Sequence, residues 1–182
     1  MGLPAADAEP APRRLETARM LGEAIGPAHQ DELAALLGDP RVGATLGGVL
    51  SPDAVADGIA HHAAHWDEHG FGYWLFRDRL TGALAARGGL HLTHIAGRDE
   101  VEVGWTVAPQ RWGEGLATEL GAAAAGVAFG PLGCADIVAF TLPDNVASRR
   151  VMEKLGFAYE RDTEYKGWDH VLYRLQAPAS PR

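Results

Sequence analysis

The feature that most constrains the fold is a strand that leads through a two-glycine turn directly into a helix. Between residues 101 and 107, apolar and polar side chains alternate strictly, which predicts a strand with one apolar face. Pro109 ends this strand, and Gly113 and Gly115 lie in the turn. Apolar and small residues then recur at helical spacing from 116 to 127, which predicts a helix with an apolar stripe. A strand followed at once by a helix favours an α/β or α+β domain.

The rest of the chain continues this mixture of elements. Helices are predicted at 29–37, where Pro40 prevents continuation, at 52–69, where Ser51 caps the start, and after Asn145 as far as Gly156. Strands are predicted at 71–77, 83–94, 137–142, 158–165 and 168–175. The order is β, α, α, three strands, then α, β, α, β, β. This order defines a single α/β (α+β) domain with a mixed sheet.

Length and composition support one folded domain. The chain has 182 residues, of which 47% are hydrophobic and 22% charged, and this balance is typical of globular proteins. We expect the domain to cover residues 13–176. Residues 1–12 and 177–182 are rich in alanine and proline and have little to bury, so both are expected to be frayed, disordered tails.

Charge and cysteine content narrow the function. A formal net charge of -8 argues against nucleic acid and anionic membranes as partners, and it suits a cationic or amine-bearing substrate. The single cysteine, Cys134, excludes an internal disulfide and a cysteine-rich zinc site. No apolar run is long enough to span a membrane, and residues 1–12 lack the pattern of a signal peptide. A cytoplasmic location is therefore expected.

The two-glycine turn is a candidate anion site. The first turn of a helix has unpaired N–H groups and a partial positive charge, and glycines let its backbone approach a phosphate closely. A tight turn without any ligand is the alternative. The dinucleotide fingerprint G-x-G-x-x-G fails because Thr118 stands where the third glycine belongs. The P-loop motif also fails, since no Gly-Lys-Ser/Thr follows.

Two motifs resemble one known family. Gln110-x-x-Gly113-x-Gly115 is similar to the Gln/Arg-x-x-Gly-x-Gly/Ala signature of the GCN5-related N-acetyltransferases (GNAT). The segment from Asn145 through Ser148 to Val-Met-Glu-Lys-Leu-Gly-Phe resembles a later segment of that family. The spacing from Glu102 to Trp112 and the residues 14–19 look most like the branch of ribosomal-protein N-terminal acetyltransferases. The resemblance covers about residues 14–175.

The resemblance implies a GNAT-like splayed mixed β-sheet of about seven strands, with about four helices, that grips acetyl-CoA between two parallel strands. Strand 102–107 would pair with the pantetheine arm, residues 111–117 would cradle the pyrophosphate, and Asn145 would bond the arm. Glu114 departs from the family, which often has Lys or Arg there, and Arg111 is expected to compensate. The implied cofactor-binding residues are Trp105, Thr106, Val107, Gln110, Arg111, Trp112, Gly113, Glu114, Gly115, Leu116, Ala117, Asn145, Arg149 and Lys154. For Arg149 and Lys154 an ordinary solvated helix face is the alternative.

Amine acetylation requires a base for the amine and an acid for the thiolate. Glu102 is the candidate base, because strand alternation turns it away from the apolar face, where shielding from water would raise its pKa. Many family members use a tyrosine as the acid, but Met152 stands at that position. Members of the ribosomal-protein branch carry a serine at the position of Ser148, which makes Ser148 the candidate acid, with solvent as the alternative. The expected reaction is direct transfer of the acetyl group from acetyl-CoA to a primary amine.

Histidines on the second predicted helix support a competing interpretation. His65-Trp66-Asp67-Glu68-His69 matches the zinc-binding pattern H-x-x-E-H, although the sequence identifies no third ligand. We expect these histidines to be solvated, packed or in contact with substrate, and we expect no metal. A zinc hydrolase and a non-catalytic acyl-CoA-binding module remain alternatives. The amine acceptor is not identified by any motif, and a homodimer is possible.

Overall fold

The computed structural model describes residues 3–179. Its strands are β1 Arg14–Glu16, β2 Met20–Ala24, β3 Tyr73–Asp78, β4 Leu84–Ile95, β5 Arg98–Val107, β6 Asp136–Thr141, β7 Ala158–Tyr165 and β8 Trp168–Gln176. Its α-helices are α1 Gln30–Leu37, α2 Pro40–Leu46, α3 Pro52–His69, α4 Leu116–Phe129 and α5 Val146–Lys154. Short 3-10 turns at Pro27–His29 and Pro109–Arg111 precede α1 and the two-glycine turn.

All these strands form one sheet in the order β1-β2-β3-β4-β5-β6-β8-β7. Neighbouring strands are antiparallel except β5 and β6, which are parallel and paired at Glu102 and Val138. Helices pack against the sheet. Trp74, Val101 and Val103 join residues of α4 in one apolar cluster, whereas Leu75 joins residues of α1 and α3 in another. The mixed α/β fold predicted from the sequence is confirmed.

The counts exceed the prediction slightly, with eight strands and five α-helices among residues 3–179. The additional helix is α2, which begins at the proline that was expected only to prevent continuation. Pro40 occupies the first turn of α2, where its missing N–H costs nothing, and the side chain of Asp39 caps the helix by accepting from the Arg41 amide at 2.8 Å. The single strand expected before the helices is an antiparallel pair, β1 and β2.

The N-terminal segment differs from the frayed tail that its composition predicts. The amides of Ala5 and Glu9 donate to the carbonyls of Leu132 and Pro131, each at 2.9 Å. The amide of Ala11, which is buried, donates to Gly70 at 2.8 Å. This segment therefore satisfies backbone groups that the loops would otherwise leave unpaired. Residues 1–2 and 180–182 of the expected tails lie outside the described residues, and the amide of Ala177 donates to Ala135.

No helix within residues 3–179 is long and apolar enough to cross a membrane.

Candidate active site

The site begins where the two parallel strands separate. Glu102 of β5 and Val138 of β6 are the only register pair that joins these strands within residues 3–179. Towards their C-terminal ends, no further pairing holds the strands together. The backbone of β5 after Glu102 therefore faces a gap, in which an extended ligand can find donors and acceptors.

An ion network fastens the opposite ends of the same strands. Arg174 of β8 bonds Glu100 of β5 (Nη2 to Oε1, 2.6 Å) and also bonds Asp136 of β6. The Nε of Arg174 donates to Glu160 at 2.5 Å, and Arg98 also pairs with Glu100 at 2.5 Å. Glu100 and Asp136 are buried, so the arginine is required to offset the cost of taking these carboxylates out of water. β5 and β6 are thus tied together just before Glu102 and, in the described chain, are not paired with each other after it.

The two-glycine turn lies after β5 and forms an open start to α4. Gly113 and Gly115 have φ angles of 83° and 81°, which side chains rarely adopt. A Cβ on Gly113 would meet nothing within 4 Å, so the turn is open to an incoming group. Gly115 caps α4 without a side-chain hydrogen bond, which leaves the first amides of the helix for an anion. These properties fit the pyrophosphate of a coenzyme A derivative.

Charges around this turn are partly neutralised. The Nε of Arg111 donates to both carboxylate oxygens of Glu114 at 2.9 and 2.8 Å, and its Nη2 donates to Asp78 at 3.1 Å. One guanidinium is thus shared between the carboxylates of Glu114 and Asp78. Arg19, to which sequence reasoning assigned no role, donates to the Glu114 carbonyl at 2.9 Å and places Nη2 3.8 Å from a Cβ built on Gly115. In the sequence, Arg19 stands out only as the last residue of the segment 14–19, which resembles the branch of ribosomal-protein acetyltransferases.

The residues on α5 are not all brought to one place. Asn145 caps the helix, with Oδ1 accepting from the Ser148 amide at 3.1 Å, and Ser148 is half-buried. Arg149 is directed to the Tyr173 hydroxyl at 3.2 Å and the Pro143 carbonyl at 3.1 Å. Lys154 is exposed in the last turn of α5, roughly 13 Å along the helix axis from Asn145. The two predicted phosphate ligands therefore lie on different parts of the helix.

Glu102 is half-buried on the face of β5 opposite the core residues Val101 and Val103. Burial raises the pKa of Glu102 to about 7, although the positive charges of Lys166 and Arg87 act in the opposite direction. A carboxylate with a pKa near neutrality is suited to accept a proton and release it again. The side chain therefore lies on the face that strand alternation predicts, and its pKa is raised, as shielding from water predicts.

Tyr73 of β3 was missed by sequence reasoning and lies beside Glu102. A Cβ built on Gly104 would overlap the Tyr73 hydroxyl and would lie 3.4 Å from Oε1 of Glu102. Burial and the charge of Glu102 raise the pKa of Tyr73, so its hydroxyl stays protonated. The ring stacks on His62 with centroids 4.7 Å apart. Strand pairing brings Tyr73 to this place. Tyr73 of β3 lies opposite Gly89 of β4, and Gly89 lies opposite Gly104 of β5.

A cleft of about 780 Å³ opens between the β4–β5 turn and the β7–β8 turn. Tyr165 and Lys166 line it from one side, and His61 and His91 line it from the other. On the neighbouring strand β4, His91 lies directly opposite Glu102. Phe71 and Trp74 are buried in the core, whereas Trp168 is exposed. The cleft therefore adjoins the strand position that carries the candidate base.

The histidines of α3 do not support the alternative of a zinc site. The Nδ1 of His65 lies 2.8 Å from the Phe71 carbonyl, and its Nε2 accepts from the Leu92 amide at 2.9 Å. Both ring nitrogens are thus occupied by backbone groups, and burial lowers the pKa of His65. His65 is therefore a structural residue that joins α3 to β4. No group of three or more metal-ligating side chains occurs in the described part of the chain.

Comparison with known proteins identifies the family. The model of the GNAT acetyltransferase domain matches residues 19–158. The chain is 26% identical over 126 residues to the uncharacterised protein YkkB of Bacillus subtilis, covering 69% of this chain and 73% of that protein. It is 32% identical over 87 residues to the uncharacterised N-acetyltransferase YoaA of the same organism, covering 48% of this chain and 49% of that protein.

Solved structures share the fold. A GNAT-family acetyltransferase from Bordetella pertussis aligns with a TM-score of 0.78 and 24% identity, covering 90% of this chain and 99% of that chain. The ribosomal-protein-S5-alanine acetyltransferase of Vibrio fischeri aligns with a TM-score of 0.74 and 15% identity, covering 92% and 99%.

This chain belongs to the GNAT acetyltransferase family. It is an acyl-CoA-dependent acetyltransferase, and its family uses acetyl-CoA as co-substrate. The family resemblance inferred from Gln110-x-x-Gly113-x-Gly115 is confirmed. The hydrolase and the non-catalytic module are not supported.

Proposed function

We propose that this enzyme transfers the acetyl group of acetyl-CoA directly to a primary amine, with Glu102 as the base. The observation that carries the proposal is the position of Glu102, at the point where β5 and β6 separate and beside the cleft. A neutral amine is the reactive nucleophile, and an amine arrives mostly protonated at neutral pH. A carboxylate with a pKa of about 7 can take that proton, directly or through water.

The gap between the strands and the open turn support binding of acetyl-CoA. The backbone of residues 105–107 would pair with the pantetheine arm, and within 111–117 the amides of Gly113 and of residues 115–117 would hold the pyrophosphate, since those of Arg111, Trp112 and Glu114 already bond the turn itself. Asn145 would bond the arm with the side-chain amide that remains after Oδ1 has capped α5. The co-substrate supplies the acetyl thioester, and the chain supplies its alignment with the amine.

The proton balance assigns a role to each side of the site. Glu102 takes one proton from the ammonium group and releases it to solvent. As the C–N bond forms and the C–S bond breaks, the nitrogen loses a second proton to solvent and the thiolate gains one, and a residue that donates this proton regains it from solvent. Ser148, half-buried in the first turn of α5, is our candidate donor of the proton that the thiolate gains. Loss of one acid typically costs 10²–10⁴-fold when no other donor replaces it, and solvent can replace Ser148. Ser148→Ala should therefore slow turnover without abolishing it.

The cleft supports an amine-bearing acceptor, either a protein N-terminus or a small molecule. Its volume of about 780 Å³ accommodates a ligand of small-molecule size or the end of a peptide. The formal net charge of -8 favours the approach of a cationic acceptor.

The test has two stages. First, acetyl-CoA at 100 times its Kd should raise the unfolding midpoint by roughly 5–10 °C. Second, an amine panel should be screened for release of free CoA thiol, with Glu102→Gln as the test variant and Glu68→Gln, on the exposed side of α3, as the control. Glu102→Gln should retain the thermal shift and lose turnover. No shift with any acyl-CoA, or full turnover by Glu102→Gln, would contradict the proposal.

A further inference from the structure

Arg87 of β4 is a positive charge without an ion pair. Among residues 3–179 its side chain makes no salt bridge or hydrogen bond, and its Nε is buried and lacks any partner. Its Cζ lies 5.8 Å from the centroid of the Tyr73 ring. Burial lowers the pKa of Arg87, but a guanidinium remains protonated in proteins. The residue is half-buried, and Glu102 attracts it without forming an ion pair, so the buried Nε still requires a partner.

His62 of α3 also has a buried polar atom without a partner, and it lies close to Arg87. Its Nδ1 is buried and has no partner within the described chain. Burial, with the nearby charge of Arg87 as the next contribution, lowers the pKa of His62 to about 3, so the ring is neutral at physiological pH. Arg87 and His62 line one small cavity of about 30 Å³. Its other lining residues are Leu33, Leu37, Leu50, Ala54, Val55, Gly58 and Ile59.

The occupant of this cavity is constrained by size and charge. A volume near 30 Å³ matches a single water molecule or a monatomic ion. The lining carries one positive charge and no carboxylate. A water molecule would accept hydrogen bonds but would bring no negative charge to Arg87, which Glu102 attracts without forming an ion pair. A monovalent anion would do both.

We propose that this cavity, between α1, α3 and β4, binds one small monovalent anion of about the size of chloride, held by Arg87 and His62. The guanidinium supplies the charge, and the neutral imidazole supplies an N–H donor. Glu102 acts on Arg87 electrostatically but forms no ion pair with it in the described chain, so the position of counter-ion is left for a ligand. The leucine, isoleucine and valine side chains around it exclude larger, strongly hydrated anions.

The unfolding midpoint in sodium chloride, compared with sodium gluconate at equal ionic strength, tests this site without acetyl-CoA. Gluconate is too large for the cavity. At a chloride concentration ten times its Kd, the wild-type midpoint should rise by about 3–6 °C, and above the Kd it should go on rising with the logarithm of the chloride concentration. Arg87→Met should remove the dependence, whereas Arg161→Met, at an exposed position of β7, should keep it. Equal midpoints in the two salts, or an unchanged dependence in Arg87→Met, would overturn the proposal.

Bromide provides a second measurement that does not need a folded variant. Wild-type crystals soaked in sodium bromide should show an anomalous peak between Arg87 and His62. A cavity that contains only water, with no such peak, would overturn the site. Because neither measurement involves acetyl-CoA or turnover, failure of the anion site is distinguishable from failure of the proposed acetyl transfer.

Discussion

The hydroxyl of Tyr73 and the carboxylate of Glu102 both lie close to the place that a Cβ of Gly104 would occupy. The hydroxyl occupies the space that a Cβ of Gly104 would need, and Oε1 of Glu102 lies 3.4 Å from the same point. The glycine is therefore required for the approach of these two side chains rather than for backbone freedom. Tyr73 is a neutral donor placed next to the candidate base.

Gly104→Ala should displace Tyr73 and disturb Glu102. We expect a loss of about 1–3 kcal/mol in the free energy of unfolding, as for other overpacked sites. Tyr73→Phe in the same chain should restore part of that stability, because it removes the overlapping hydroxyl. Urea denaturation of the two single variants and the double variant measures the coupling. Strictly additive effects would show that the side chains do not compete for this space.

The pH dependence of the rate should follow the ionisation of Glu102. Because the base must be unprotonated and its pKa is about 7, kcat/KM should rise about tenfold per pH unit below pH 7 and level off above about pH 8. Glu102→Gln should lower the rate by about 10²–10⁴-fold and lose this rise. The measurement is a pH profile with one amine acceptor. A wild-type profile with its inflection near pH 4.5 would contradict a shielded carboxylate.

The same substitution should stabilise the fold. The pKa of Glu102 is raised in the folded chain, so the unfolded chain gives up this proton first and stability falls as pH rises between about 4.5 and 7. Glu102→Gln removes that loss. We expect it to gain about 2–3 kcal/mol above pH 8 and nothing below pH 4.5. Denaturation curves at these two pH values test the difference, and a gain of equal size at both would contradict it.

His65 should matter for stability through two backbone groups. His65→Phe keeps the ring volume but leaves the Phe71 carbonyl and the Leu92 amide without their partner. We expect a loss of about 2–4 kcal/mol in the free energy of unfolding. His69→Phe, one helical turn further along α3, is the matched control and should change stability by less than about 1 kcal/mol. Similar losses in both variants would show that the hydrogen bonds of His65 are unimportant.

In the wild-type chain, the carboxylate of Glu114 should weaken the binding of acetyl-CoA. Its carboxylate engages Arg111 and lies beside the turn expected to hold a pyrophosphate. Glu114→Gln removes a negative charge and releases Arg111 from one ion pair, so the Kd for acetyl-CoA should fall about three- to tenfold. Calorimetric titration at low salt measures this change, with Glu68→Gln as the charge-matched control. An unchanged Kd would place the pyrophosphate away from Glu114.

Local patterns in the sequence were sufficient for the parts of the site that lie on one continuous segment. The alternation around Glu102 predicted its face, and the spacing of Gly113 and Gly115 predicted the turn. Tyr73 and Arg87 could not be found this way, because their roles arise from strand pairing across β3, β4 and β5.

The elements that the sequence did not predict have one local and two long-range causes. Pro40 can end one helix or begin the next, and the cap from Asp39 decides between these outcomes. The segment around Ala11 resembles a tail by composition, yet its backbone bonds Gly70, a residue distant in the sequence. The ion network of Arg174 likewise joins residues from four strands.

That network fixes where the parallel pair begins to part. Beyond the bonds of Arg174 to Glu100 and Asp136, β5 extends roughly 20 Å to Val107, and over this length its other edge stays paired with β4. The gap that a pantetheine arm would enter is thus one open edge of a strand whose opposite edge is held in the sheet. A ligand that pairs there would add to the sheet at a place where the chain itself supplies no strand.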